Sequence, residues 1–76
     1  MSTYTEQDLS NEEYREIITR DGTYRIDAPV KLIRREGGAT HRVVDAAGIV
    51  HCYVAPESGL SVIRWKPKNA ATPVSF

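Results

Sequence analysis

The segment SNEEYREIITRDGTYRI, residues 10–26, decides the fold, because it spells two different structures. As a helix, Ser10 is the N-cap and Glu13, three residues on, reaches back to the Ser10 backbone N–H. Leu9 and Tyr14 then take the two positions of a hydrophobic staple. Glu12, Glu13 and Glu16 lie near the positive end of the helix dipole, and Tyr14, Ile17 and Ile18 form an apolar stripe that Gly22 brings to a stop. As a β-hairpin, residues 17–20 and 23–26 flank a tight Asp21-Gly22 turn. The capping signals favour the helix, which is expected over residues 11–20.

Downstream of this segment the pattern changes to short β-rich runs separated by turn chemistry. Tyr24-Arg25-Ile26 alternates like a strand until Asp27-Ala28-Pro29 interrupts it, since proline cannot donate to a ladder. Residues 30–36 and 40–45 are strands joined by Gly37-Gly38, a pair that tolerates positive φ. Asp45-Ala46-Ala47-Gly48 has the order of a type I turn, with Gly48 free to take the left-handed position of a bulge. Residues 49–54 are the next strand, 55–59 a loop, and 60–66 a last strand. The expected fold is therefore α+β and mainly β: a short N-terminal helix followed by a four- to five-stranded antiparallel meander. If the sheet curls, residues 24–35 become one strand bent at Pro29 and the architecture is that of a small SH3-like or Sm-like barrel. Residues 1–10 are expected as an acidic flexible arm, 11–66 as the single domain, and 67–76 as a flexible tail.

Turn geometry sets register, and register assigns faces. The Gly37-Gly38 turn pairs Glu36 with Ala39 and puts Leu32 opposite Val43. The Gly48 bulge pairs Asp45 with Ile49, which sets Val43 opposite His51 and His41 opposite Tyr53. If the 55–59 loop pairs Val54 with Leu60, one face gathers Val30, Leu32, Val43, Ile49, Tyr53, Ile63 and Trp65, along with His41, His51, Arg34 and Asp45. That face has the larger aromatic area and is assigned to the helix. The opposite face gathers Ile33, Val44, Val50, Cys52, Val54, Leu60 and Val62 with Lys31, Arg35, Arg42, Arg64 and Lys66. Ten helical residues cannot cover both, so either the sheet closes on itself or a partner covers the second face.

Composition narrows the function. The chain has 76 residues, ten basic and ten acidic side chains, and 41% apolar content, enough for one small core. Cys52 is the only cysteine, which excludes an intrachain disulfide and a cysteine-based zinc site and fits a reducing, cytoplasmic setting. No run approaches the ~18 apolar residues of a membrane helix. The net charge of zero is a cancellation: residues 1–16 carry −4 and residues 17–76 carry +4. His41, His51 and Asp45 could begin a metal site, but Asp45 at a hairpin tip is poorly placed to converge with His51, and no metal or cofactor is expected. Cys52 points away from both histidines in the bulged register, and no phosphate-cradling glycine motif surrounds Gly37-Gly38, so no enzymatic chemistry is expected.

The surplus apolar face on so short a chain points to a non-enzymatic protein-interaction module. It would be a homodimer, an adaptor or an inhibitor of a larger assembly, of the kind that mobile elements carry as accessory regulators. The expected partner-binding residues are Arg35, Arg42, Val44, Val50, Val62, Arg64 and Lys66 on the sheet, with Glu12, Glu13 and Glu16 on the acidic helix. The alternative is a small barrel that binds single-stranded nucleic acid through its Arg/Lys-rich face. Neither reading involves a membrane or a small-molecule substrate.

Overall fold

The computed structural model describes residues 3–56 and 59–75. Met1, Ser2, Glu57, Ser58 and Phe76, which belong to the expected arm, loop and tail, lie outside the described residues. The chain forms eight strands: β1 (Tyr4–Asp8), β2 (Glu12–Thr19), β3 (Gly22–Asp27), β4 (Pro29–Arg35), β5 (Thr40–Asp45), β6 (Val50–Val54), β7 (Val62–Pro67) and β8 (Val74–Ser75). They make two antiparallel sheets, in the order β1-β4-β5-β6 and β3-β2-β7-β8.

The expected helix over 11–20 is absent, and the residues that favoured it serve a strand and a turn. Ser10 caps nothing; its N–H donates to Asp8 Oδ1 at 2.9 Å, and the Glu12 N–H donates to the Leu9 carbonyl at 2.9 Å, turning the chain from one sheet to the other. Helix propensities differ by only tenths of a kcal/mol per residue, whereas β2 is paired on both edges, with β3 and with β7. Ile17, Ile18 and Thr19 are β-branched and suit that central position. The hairpin reading is the observed one, moved by a residue: Arg20-Asp21 makes the turn and Thr19 faces Gly22, whose φ is 138°.

Ala28 carries the chain between sheets. It is the only non-glycine residue with positive φ among the described residues, at 50°. Its N–H donates to Glu13 O in the β2 sheet at 3.1 Å, while its carbonyl accepts from Ala46 N beside the other sheet at 2.9 Å. Two backbone bonds thus hold a conformation that alanine ordinarily avoids. The bend expected at Pro29 therefore falls one residue earlier.

Within the β4-β5-β6 meander the expected register is observed. Leu32 pairs with Val43, Val43 with His51, and His41 with Tyr53. An irregularity between Pro29 and Lys31 turns Val30 outward, away from the inner face where it was expected, and Ile49, opposite Asp45, lines the gap between the sheets and stays exposed. The larger correction concerns β7. It does not pair with β6 but crosses to the second sheet beside β2, so Val54 and Leu60 are not partners. The two sheets pack face to face over Leu9, Ile17, Ile26, Leu32, Val43 and Ile63, with Tyr53 and Trp65 against that cluster. Sheet packing covers the aromatic face that the helix was expected to cover, and no closed barrel forms among the described residues.

Both terminal segments read as loose are paired where described: β1 with β4, and β8 with β7. Leu9, 1% exposed at the crossing from β1 to β2, ties the first of them to the core. Leu9→Ala is expected to cost about 2–5 kcal/mol in urea denaturation, a large share of the stability of so small a domain. Leu60→Ala, at a position 69% exposed, is expected to stay within about 0.5 kcal/mol of wild type in the same measurement.

Candidate functional site: an open apolar cleft beside a free strand edge

Along the β3 and β6 edges the two sheets are not joined by backbone pairing, and beside them lies a cleft of about 840 Å³. One wall is the β2–β3 hairpin with Tyr24, the other is residues 49–54, and Leu60 and Ser61 lie between them. Tyr24, Ile49, Val50, Val54 and Leu60 are all large, apolar and exposed here.

Strand alternation shows what β6 offers to this cleft. The backbone bonds Asp45 N–H to Ile49 O, at 3.0 Å, and Ala55 N–H to Ala39 O, at 2.8 Å, mark the bonded pairs of the β5–β6 ladder. Pairs alternate along an antiparallel ladder, so His51 and Tyr53 also bond to β5, while Val50, Cys52 and Val54 turn their N–H and C=O groups the other way. β6 is the last strand of its sheet, and those groups form its outer edge. The Val54 carbonyl accepts the Ser61 hydroxyl at 3.1 Å. The side chains of Val50, Cys52 and Val54 stand exposed on the outer face of the sheet.

The opposite side chains of β6 point inward and build a hydrogen-bonded relay. His51 Nε2 lies 2.8 Å from Asp45 Oδ2, and His51 Nδ1 lies 2.6 Å from the Tyr24 hydroxyl. A carboxylate only accepts, so Nε2 carries the proton, and in the neutral ring Nδ1 accepts from the Tyr24 O–H. Asp45 Oδ1 accepts from the N–H groups of Ala47 and Ile49 at 2.9 and 3.0 Å. The hydrogen bond from His51 lowers the Asp45 pKa; partial burial opposes this, and the backbone N–H groups of Ile49 and Ala47 add to the lowering. Asp45 and His51 therefore do converge, contrary to expectation, because the bulged turn folds the carboxylate back over the strand. Their third partner is Tyr24 rather than His41, whose ring stacks edge-on against Tyr53 at 5.5 Å. The relay fastens the β3 edge to the β6 edge across the cleft. No group of three or more potential metal ligands occurs among the described residues.

The expected partner-binding residues are dispersed. Arg35, Arg42, Val44 and Val50 share the outer face of the β1-β4-β5-β6 sheet, as the register required. Val62, Arg64 and Lys66 belong to β7 in the other sheet. The three glutamates form no acidic docking face. Lys66 Nζ holds Glu13 Oε2 at 2.6 Å, and that hydrogen bond lowers the pKa of Glu13; Arg64 Nε holds Glu16 Oε1 at 3.1 Å. Glu12 is buried and paired with Arg15 through two hydrogen bonds, at 3.0 and 2.8 Å, while Arg15 also donates to the Tyr53 hydroxyl at 3.3 Å. Burial opposes the charge on Arg15, and those hydrogen bonds more than restore it, so its pKa stands above the ordinary value. The cleft residues Tyr24, Ile49, Cys52, Val54 and Leu60 were absent from the expected set. The alternation of Val50, Cys52 and Val54 is legible, but that β6 ends its sheet is not, because residues 60–66 read as the next strand.

Comparison of the chain with protein-family models, with curated proteins and with solved structures finds no match. What defines the protein is thus its own geometry: a mainly β domain of two antiparallel sheets, open along one side.

Two outcomes follow from these pairings. Glu12→Ala leaves a buried guanidinium short of its carboxylate and is expected to cost about 3–5 kcal/mol, whereas replacing the pair together (Glu12→Leu with Arg15→Met) should fall near wild type in thermal unfolding. Asp45 titrates below its ordinary value of 3.8 in the folded chain. Its contribution is therefore complete above that pH and is lost as pH falls through the depressed value. In acid unfolding, Asp45→Asn should be less stable than wild type near pH 6 and should lose less on going from pH 5 to pH 2.

Proposed function

We propose that this protein is a non-enzymatic interaction module that accepts an extended strand of a partner protein along β6. The observation that carries the reading is the outer edge of Val50, Cys52 and Val54, paired with no strand among the described residues, apolar in side chains and bordered by an apolar cleft. An edge of this kind supplies affinity through backbone hydrogen bonds, and the adjoining cleft selects alternate side chains. The outer face adds a preference. Arg42 pairs with Cys52 across the ladder, so its guanidinium, on a long side chain two strands away, can reach over Cys52 toward a strand added next to β6. A partner segment with apolar residues at alternate positions and an acidic residue between them fits both features.

The nucleic-acid alternative draws less support, because it needs one continuous basic face. Arg64 and Lys66 lie on the other sheet and are neutralised by Glu16 and Glu13, which leaves Arg35 and Arg42 too few for a phosphate track.

Selection from a library of random ten-residue peptides tests the reading. Peptides alternating Val, Ile or Tyr and carrying Asp or Glu are expected to be enriched, and to slow amide exchange at Val50, Cys52 and Val54. Cys52→Pro removes one outward N–H without touching the β5 ladder, and Val54→Lys places a charge on the edge. Each should weaken peptide binding at least about tenfold, whereas Val62→Asp on the other sheet should not. Failure to enrich any peptide, or binding indifferent to both edge variants, would count against the reading.

A further inference from the structure

The four sheet edges are not alike. β1 carries Glu6 and Asp8, and β3 carries Arg25 and Asp27, which pair with each other at 2.7 Å. β8 is two residues long. Charge and shortness are the usual protections against strand addition, and β6 has neither: Val-His-Cys-Tyr-Val is uncharged at all three outward positions. A strand whose own outward positions are apolar lets Val50, Cys52 and Val54 bury against it while the backbones pair. Among the described residues, β6 is the one edge strand longer than two residues whose outward positions are all apolar.

β6 is also self-complementary. The outward positions read Val50, Cys52, Val54, the same in either direction about Cys52. An antiparallel pairing about a two-fold axis through Cys52 sets Val50 against Val54 of a second copy and Cys52 against itself. All three outward positions are of the bonded type, so each such pair would exchange both of its backbone hydrogen bonds. The Val54 carbonyl, which already accepts the Ser61 hydroxyl, keeps a second lone pair for this. The axis closes the assembly at two copies, whereas pairing with a different edge would propagate.

We infer that the occupant of the β6 edge is a second copy of this chain, paired antiparallel with Cys52 opposite Cys52. This rests on the strand-acceptor reading and names its partner. The dimer joins the two β1-β4-β5-β6 sheets into one sheet of eight strands and covers the exposed Val50, Cys52 and Val54. Facing residues of a bonded pair have Cα atoms about 5.5 Å apart, within the roughly 4.4–6.8 Å that a disulfide spans. Cys52 therefore reports the register without being needed for it.

Sedimentation equilibrium of the full chain should show a mass that rises with concentration toward twice 8.5 kDa. Diamide, an azo oxidant, should link the wild-type chains: two Cys52 thiols give up two hydrogens, the N=N bond is reduced to a hydrazine, and one S–S bond forms. Val50→Lys/Val54→Lys sets like charges face to face at both ends and should weaken the dimer at least about tenfold. Val50→Lys/Val54→Glu, which sets opposite charges face to face, should restore it, and Val62→Asp should leave it unchanged. A dimer indifferent to the Lys/Lys change, a dimer broken by Val62→Asp, or a dimer that diamide does not link would overturn the inference. So would a chain monomeric at every concentration. If that monomer still binds the selected peptides along β6, the strand-acceptor reading stands; if it binds none, both fall.

Discussion

β2 is hydrogen-bonded along both of its edges, and the remainder of the molecule depends on that double pairing. β3 reaches it through a two-residue turn, but β7 reaches it from the far end of the chain, with Glu16 opposite Arg64. Only as a strand can this segment bring Ile17 to the core while Glu13 and Glu16 meet the cations of β7. A helix over the same residues would satisfy its own backbone and leave β7 with only the two-residue β8 as a neighbour. The second sheet would then be missing, and with it Ile26, Ile63 and Trp65 as a lid over Leu32 and Val43.

That pairing also explains the charge layout. A chain with −4 in its first sixteen residues and +4 in the rest looks like an acidic arm on a basic body. In the folded molecule the two charges sit on adjacent strands and cancel locally, through Glu13 with Lys66 and Glu16 with Arg64. Exposed pairs of this type contribute little to stability. Their consequence is for recognition, since they neutralise the acidic residues of β2 and the basic residues of β7 that a partner might have read. The Glu12–Arg15 pair is of another kind, buried at the edge of the core and held by Tyr53 from the opposite sheet. It fixes how the two sheets face each other.

Tyr24, Ile49, Val50, Val54 and Leu60, large apolar side chains left exposed, gather at one seam. Two four-stranded sheets have four edges, and a sandwich of 76 residues has too little chain to cover them all. Charge, an ion pair and brevity blunt three of them. Along the fourth, the Asp45–His51–Tyr24 relay holds the sheets together at one point, and no other strand among the described residues pairs with the outer edge of β6, where the Ser61 hydroxyl meets the Val54 carbonyl. The seam is where the fold is incomplete, and for that reason it is where another strand fits.

The amino-acid sequence by itself determined the register of the β4-β5-β6 meander from Leu32 to Tyr53. Gly37 and Gly48 take positive φ at turns whose length sets the pairing, so Leu32, Val43, His51 and Tyr53 fall opposite their partners through interactions only a few residues long. It also announced an apolar surface larger than the chain could cover. It did not determine the state of residues 10–19, where the signals of a helix start and of a β-turn use the same side chains. Nor did it determine which sheet β7 would join. Both depend on the contact between β2 and β7, whose paired residues Glu16 and Arg64 lie 48 positions apart. Local turn chemistry acts over a few bonds of chain and can be read in order. A pairing over that separation is decided by which arrangement buries both sheet faces at once, and only the folded structure makes that choice.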